Sequence, residues 1–274
     1  MAPAHMSPYW VGALRLGIAS VFFAIVIVWL KKLGRAEFSL QPRCWGRVLM
    51  AGVCIAVYNL SFFAGVKASG VALGTVVAIG SGPVWAGLIQ SFISRQAPTQ
   101  AWWAGTLLAI TGVALLLAES EVHQQFNTIG FGLCLTAGLA YASYTLISQT
   151  LVIQAPPSTI TLWTFTVAAV IAIPVAAIIS DPFKSTAAGW SVVFYLGLVS
   201  TGLAYLLFSH ALRYLSAATG VTLALAEPLT AFGLAIIFLG ERPGLTAWTG
   251  LTLVLLGLVL VIWIEARKNF TKPP

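Results

Sequence analysis

Residues 245–264 read LTAWTGLTLVLLGLVLVIWI, a run of twenty residues without a single charge. A helix of about 20 apolar residues spans the hydrocarbon core of a bilayer, and it pairs its own backbone polar groups while doing so. This stretch therefore predicts a membrane-spanning helix. Similar apolar runs precede it at 8–30, 45–66, 70–93, 100–118, 127–153, 158–179, 189–212 and 217–239.

The composition of the whole chain agrees with a protein dissolved in lipid. Of its 274 residues, 59% are hydrophobic and 8% are charged, whereas soluble domains carry about 25% charged residues. The three cysteines form no CxxC pair, so we expect neither a metal site nor a cofactor. The predicted fold is an all-α integral membrane protein, a polytopic helix bundle.

The basic residues lie between the apolar runs and indicate orientation rather than nucleic-acid binding. If the loop 31–47 is cytoplasmic, most Lys and Arg face the cytoplasm, and only Lys67, Lys184 and Arg242 face outside. The opposite orientation reverses this bias. We therefore predict a multi-pass protein of the inner (plasma) membrane with its tail, 265–274, in the cytoplasm.

The sequence contains an internal repeat. With a shift of 145 residues, two halves align without a gap over about sixty residues, and the alignment matches Pro83 with Pro228, Trp103 with Trp248, Gly105 with Gly250 and Gly112 with Gly257. We assign residues 1–118 to a first repeat of four helices and 127–264 to a second repeat of five. Because five is odd, successive copies have opposite orientation, which is the inverted-repeat plan of many transporters.

The first repeat has no counterpart of the helix at 127–153. Two explanations stay open. Either a first helix that belongs before Met1 is missing, or the protein has nine native helices and a short outside N-terminus. We favour the missing helix.

Three motifs of the second half carry a family resemblance: ALRYLSAATG at 211–220, AEPLTA at 226–231 and FLGERPG at 238–244. Together with ALRL at 13–16, they resemble the EamA-type carriers of the drug/metabolite transporter superfamily. The resemblance covers nearly the whole chain. It implies ten helices in two inverted five-helix repeats, and export of amino acids or other metabolites. A missing first helix would be expected to line the central cavity.

Two charged residues stand well inside apolar runs, away from their first turn. A charge at the centre of a membrane helix costs about 3 kcal/mol on insertion scales and is usually functional. Glu227 is followed by Pro228, which removes a backbone donor near Ala224. Glu227 is therefore either a polar, kinked point on the substrate path and a candidate proton acceptor, or a structural residue that forms a buried ion pair or braces the helix kink. Arg15 can pair with Glu227, extend to the interface, or hold a substrate carboxylate, and the family pattern favours a cavity role.

Several polar or aromatic side chains inside the helices are further cavity candidates. Asn59 is an amide that needs a partner in lipid. His210 is either a packing residue or a proton carrier. Tyr141, Tyr144 and Ser148 share one helix face. The complete set of predicted substrate-binding or cavity residues is Arg15, Asn59, Trp85, Tyr141, Tyr144, Tyr205, His210 and Glu227, with Pro83 and Pro228 as hinges.

The leading hypothesis is a carrier that exports small metabolites, with amino acids or related compounds as the favoured class, by rocking of the two repeats about a central site. Its partners would be the lipid bilayer, a small-molecule substrate and, as an open question, protons. The alternatives are a membrane enzyme acting on lipid or isoprenoid substrates, a channel, and a structural bundle inactive as a truncated carrier. The loops are short and poor in carboxylates for an enzyme, and no filter or charged ring indicates a channel.

The carrier hypothesis predicts that Glu227→Gln or Arg15→Ala impairs transport without blocking membrane insertion. Transport rates are measured against the amount of each variant in the membrane fraction. Normal transport by both variants would remove these residues from the site.

Overall fold

A computed structural model of the chain describes residues 7–34, 40–94, 97–118, 127–181, 185–234, 236–237 and 243–270. The regular elements of these ranges are helical. The α-helices are α1 Pro8–Lys32, α2 Trp45–Ser69, α3 Val71–Ser94, α4 Gln100–Ala118, α5 Thr128–Val152, α6 Pro157–Ile179, α7 Ala187–Tyr195, α8 Ala204–Ala211, α9 Ala217–Leu223, α10 Ala226–Leu234 and α11 Leu245–Phe270. A π-helical segment, Leu196–Leu203, joins α7 to α8.

These helices confirm the polytopic all-α prediction. Within the described ranges, eight helical segments are long and apolar enough to cross a membrane, counting α7–α8 and α9–α10 as one segment each. A shorter apolar helix, Gln100–Leu116, corresponds to the remaining predicted run, 100–118. The protein is therefore a multi-pass membrane protein.

The helices form two compact units. Unit 1 consists of Met1–Phe63 and Ser143–Tyr214, and unit 2 of Ala64–Ala142 and Leu215–Pro274. Each unit takes helices from both predicted repeats. A shift of 145 residues superimposes α1 on α6, α4 on α11, and α3 on α9–α10. In unit 1, α1 packs against α6; in unit 2, α4 packs against α11 and α3 against α9. In these three pairs, helices that correspond in the repeat are direct neighbours.

The contact between α4 and α11 depends on four glycines. A Cβ on Gly112 would lie 2.6 Å from the backbone oxygen of Gly250, and a Cβ on Gly257 would lie 2.5 Å from that of Gly105. The helices run antiparallel, because the later glycine of one meets the earlier glycine of the other. The repeat exchanges Gly105 with Gly250 and Gly112 with Gly257, so each of the two contacts is the image of the other.

In unit 1, the π-helical segment packs closely on α1. A Cβ on Gly197 would lie 2.6 Å from Ile18 Cβ, and a Cβ on Gly202 would lie 2.7 Å from the Phe22 ring. The corresponding residues of the first repeat, 51–58, lie in the regular helix α2. Wider turns at functional positions are typical of π-helical insertions.

The predicted apolar run 217–239 is interrupted next to Pro228, where the sequence indicates a kink. The helix ends at Leu223 and resumes at Ala226. Pro228 has no N–H for the carbonyl of Ala224, and this carbonyl accepts instead from the nitrogen of Glu227 at 3.0 Å. Glu227 therefore lies in the first turn of α10, rather than in the middle of a continuous helix.

At the corresponding proline of the first repeat, Pro83, helix α3 continues without interruption. The last helix was predicted to end at residue 264, but α11 continues to Phe270. Elsewhere, α2 ends where Gly70 adopts a φ of 85°, a left-handed conformation that glycine takes without steric cost.

We expect Gly112→Ala to destabilise the protein, because the added methyl group would push α4 away from the α11 backbone. Overpacking of this kind costs about 1–3 kcal/mol. The measurement is thermal unfolding in detergent. Gly132→Ala is the matched control, since a Cβ on this helical glycine meets nothing within 4 Å. Equal melting temperatures for the two variants would contradict the close contact.

Candidate functional site

Arg15 and Asn59, two predicted cavity residues, are partners in unit 1. Arg15 is half-buried on α1, and Asn59 is 1% exposed on α2. With the amide oriented so that its oxygen faces the guanidinium, this oxygen accepts from Arg15 Nε at 3.3 Å and from Nη2 at 3.1 Å. The partner that the Asn59 amide needs in lipid is thus the Arg15 guanidinium.

Two neighbours fix the position of this pair. The Cζ atom of Arg15 lies 5.5 Å from the centroid of the Phe63 ring, within the range of a cation–π interaction. Gly12 lies one turn before Arg15, and a Cβ there would overlap the Asn59 amide and lie 2.6 Å from a Phe63 ring carbon. The absence of a side chain at Gly12 therefore makes room for both groups.

A second cluster of unit 1 joins aromatic rings to hydroxyl groups. The Tyr205 ring lies 4.8 Å from Phe165 and 6.0 Å from Tyr144. Tyr144 is 1% exposed, and its hydroxyl interacts with the side chains of Ser148 and Ser209. The structure thus brings together the predicted residues Tyr144 and Tyr205. It also places Tyr144 and Ser148 on one face of α5, as their spacing indicated.

His210 lies near the end of α8 with its side chain exposed. Its Nδ1 is 2.8 Å from the backbone oxygen of Leu206. A carbonyl oxygen only accepts, so Nδ1 carries the hydrogen and donates it. The ring is therefore held along its own helix.

In unit 2, Trp85 and Tyr141 pack against one buried cluster, which includes Ala86, Trp102 and Val221. The indole nitrogen of Trp85 is buried and has no hydrogen-bond acceptor among the described residues. Tyr141 belongs to unit 2, whereas Tyr144, three residues later, belongs to unit 1. The aromatic face predicted on α5 is thus divided between the two units.

The remaining predicted residues of unit 2 lie at the helix interruption. Glu227 is exposed in the first turn of α10, and Pro228 is buried next to it. Pro83, the other predicted hinge, is buried inside α3. Within the described ranges, no group of three or more His, Cys, Asp or Glu residues is placed to hold a metal ion.

Sequence reasoning missed two residues of these clusters and one buried acid elsewhere in unit 2. Phe63 gave no signal beyond that of an aromatic residue in an apolar run, although its ring lies next to the Arg15 guanidinium. Ser209 gave no signal beyond a hydroxyl in an apolar helix. Glu265 was assigned to the polar tail, yet it is 7% exposed. An acid directly after an uninterrupted apolar run was the signal that could have identified it.

The family model of the EamA-like transporter family matches residues 1–118 and 128–263. The chain belongs to this family. It is also 36% identical over 271 residues to the uncharacterized transporter YwfM of Bacillus subtilis (strain 168), with 99% of this chain and 89% of that protein covered. The protein is therefore a membrane transporter of a small-molecule substrate, and not an enzyme.

This EamA-type transporter is also similar to a named exporter and to a solved structure. Over 240 residues it is 29% identical to the threonine/homoserine exporter RhtA of Escherichia coli (strain K12), with 84% of this chain and 74% of that protein covered. A solved crystal structure superimposes with a TM-score of 0.81 at 16% sequence identity, covering 96% of this chain and 90% of the other. This second similarity shows a shared fold.

We expect Gly12→Ala to reduce transport strongly at a normal membrane level, because its methyl group would displace Asn59 and Phe63 from Arg15. The matched control on the same helix is Gly17→Ala, whose Cβ would make an ordinary 3.5 Å contact with Ile173. Rates are compared per amount of protein in the membrane. Equal rates for both variants would show that the arrangement around Arg15 is not needed.

Proposed function

We propose that this transporter exports amino acids, and that Arg15 binds their carboxylate group. The observation that carries the proposal is a guanidinium inside a membrane-spanning helix with a neutral partner. Asn59 occupies Nε and one position on Nη2. A guanidinium has five N–H donors, and its Nη1–Nη2 edge presents two parallel donors in the geometry that a carboxylate matches.

The position of Arg15 also favours substrate binding. Arg15 lies seven residues after the start of α1 at Pro8, which is about 10 Å along a helix. A charge at that depth is costly. Asn59 and Phe63 reduce this cost but bring no negative charge, so a bound carboxylate would neutralise the guanidinium.

The similarity to RhtA supports both the substrate class and the direction. That relative is named as an exporter of threonine and homoserine, two amino acids with a carboxylate. At 29% identity, this similarity supports amino acids as the class of substrate.

For the mechanism we propose alternating access of the two inverted repeats. The reciprocal glycine contacts of α4 and α11 support a repeat of opposite orientation. The interruption between α9 and α10 supports Pro228 as a hinge, because it leaves a short segment without regular α-helical bonding. Glu227 in the turn that follows would be a polar point on the transport path, as is common for discontinuous helices of transporters. Pro83, inside an unbroken helix, would bend by a smaller amount.

Solute counterflow in proteoliposomes tests the substrate class. Vesicles preloaded with unlabelled threonine should accumulate labelled threonine, and unlabelled amino acids should compete, whereas the corresponding decarboxylated amines should not. Absence of exchange for every amino acid of the panel would overturn the proposed class.

The role of Arg15 is tested by its variants. Arg15→Gln should weaken threonine binding about 10- to 100-fold, because a hydrogen bond to a charged group contributes about 1.5–3 kcal/mol. Arg15→Lys should recover only part of this loss, since an ammonium cannot form the two parallel bonds. Arg43→Gln is the control, as Arg43 is exposed before α2. Unchanged affinity in Arg15→Gln would place the carboxylate elsewhere.

A further inference from the structure

Glu265 is the only acidic side chain among the described residues that is buried, at 7% exposure. It lies on α11 within the candidate membrane span Leu245–Arg267. Ionisable groups inside such spans are expensive to keep and mark ion or proton sites by default. Neither the carboxylate site at Arg15 nor the hinge at Pro228 uses this residue.

The two carboxylate oxygens of Glu265 are held by neutral donors. The backbone nitrogen of Ser216 donates to Oε1 at 2.9 Å, and the hydroxyl of Thr219 donates to Oε2 at 3.0 Å. Behind them, the Ser216 hydroxyl donates to Thr219 Oγ1 at 2.8 Å, and the Thr219 nitrogen donates to Ser216 Oγ at 3.2 Å.

This network suits both protonation states of the carboxyl group. In the charged state, the Thr219 hydroxyl donates to Oε2. When Oε2 carries a proton, that proton can be donated to Thr219 Oγ1, and the Thr219 hydroxyl then turns to Ser216 Oγ. Hydroxyl groups act as donors and acceptors and rotate to suit, so both oxygens of Glu265 keep a partner whether or not the proton is bound, and the hydrogen that has to turn away is that of the half-buried Ser216 hydroxyl.

Among the described residues, few other ionisable groups come near Glu265. The segment before Ser216 carries Arg213 and Tyr214, both exposed. The elements packed against α11 are α4, α9 and α10. Neither α4 nor α9, nor α3 behind α9, contains an ionisable residue, and α10 contains only Glu227. On α11 itself, Arg267 and Lys268 follow in sequence, and the Arg267 guanidinium lies 3.4 Å from the Trp263 ring centroid. The neutral Gln90 of α3 accepts from the Ala218 nitrogen beside the network.

We propose that Glu265 is a proton-binding site of this transporter, and that its protonation is coupled to transport. A proton from the aqueous phase adds to the carboxylate and leaves again in a later step of the cycle. The charge-assisted bonds from Ser216 and Thr219 become weaker neutral bonds when the proton is bound. Ser216 caps the N-terminus of α9 and Thr219 lies in its first turn. The interruption and α10 follow α9 in sequence, so proton occupancy changes how firmly this broken segment is held.

Proton binding is measured without any substrate. In infrared spectra of the protein in liposomes, the carbonyl stretch of a protonated carboxyl group should appear as the pH is lowered. We expect Glu265→Gln to remove one component of this band, and Asp181→Asn to retain it, because Asp181 is exposed after α6. Identical pH titrations of the wild type and Glu265→Gln would overturn the proposal.

A second variant keeps the test valid if Glu265→Gln does not insert. Thr219→Val preserves the shape of the side chain and the carboxyl group but removes the reversible donor to Oε2. The component of the band assigned to Glu265 should remain and shift its midpoint. An unshifted midpoint would show that the hydroxyl network does not serve a proton.

Coupling rests on the proposed export function, whereas proton binding does not. With labelled threonine as the probe, a proton gradient directed into the vesicles should accelerate efflux by the wild type but not by Glu265→Gln. An equal acceleration in both would overturn the coupling. If the wild type does not move threonine, the proposed substrate fails, and the infrared titration still decides whether Glu265 binds a proton.

Discussion

In the hydrocarbon core of a bilayer, a backbone N–H or C=O group has no water to bond, and each unpaired group costs several kcal/mol. This constraint makes the helix the default element of the chain, and it makes every departure from the helix informative. The interruption between α9 and α10 is tolerated because the Ala224 carbonyl accepts a hydrogen bond from the Glu227 nitrogen. The π-helical segment 196–203 survives because it keeps a bonded, though wider, turn. Both departures lie in the second repeat, and both lie next to residues with polar or charged side chains.

A second consequence of lipid as solvent is that helices gain little from hiding apolar surface against each other. Close backbone approach then supplies the attraction, and four glycines of α4 and α11 supply the approach. The same argument explains the polar pairs. Arg15 finds Asn59, and Glu265 finds Ser216 and Thr219, because a polar group that reaches no water has to be matched inside the protein. Packing and polar pairing therefore reflect one requirement.

Hydropathy located the apolar segments, because the length and low charge of a membrane span are properties of the local sequence. The types of the polar residues inside them were equally visible. Their partners were not. Whether Arg15 meets Asn59 depends on how α1 and α2 are rotated about their axes, which no local pattern specifies. Glu265 was missed since its partner Ser216 lies 49 residues earlier. The segment LGLVSTGL did not predict a π helix, because its composition is that of an ordinary apolar helix. Pro228 predicted an interruption but not the residue at which the helix would end.

The division of the chain between the two units has a consequence for its biosynthesis. A ribosome delivers residues from the N-terminus onward, yet unit 1 needs Ser143–Tyr214 and unit 2 needs Leu215–Pro274 to be complete. Neither unit can finish while the first half alone has entered the membrane. The glycines of α4 in particular have no packing partner until α11 is synthesised. Until then, their backbone lacks the close contact that α11 later provides. The nascent chain must therefore tolerate, or be shielded during, a long interval in which its tightest helix pair has only one member.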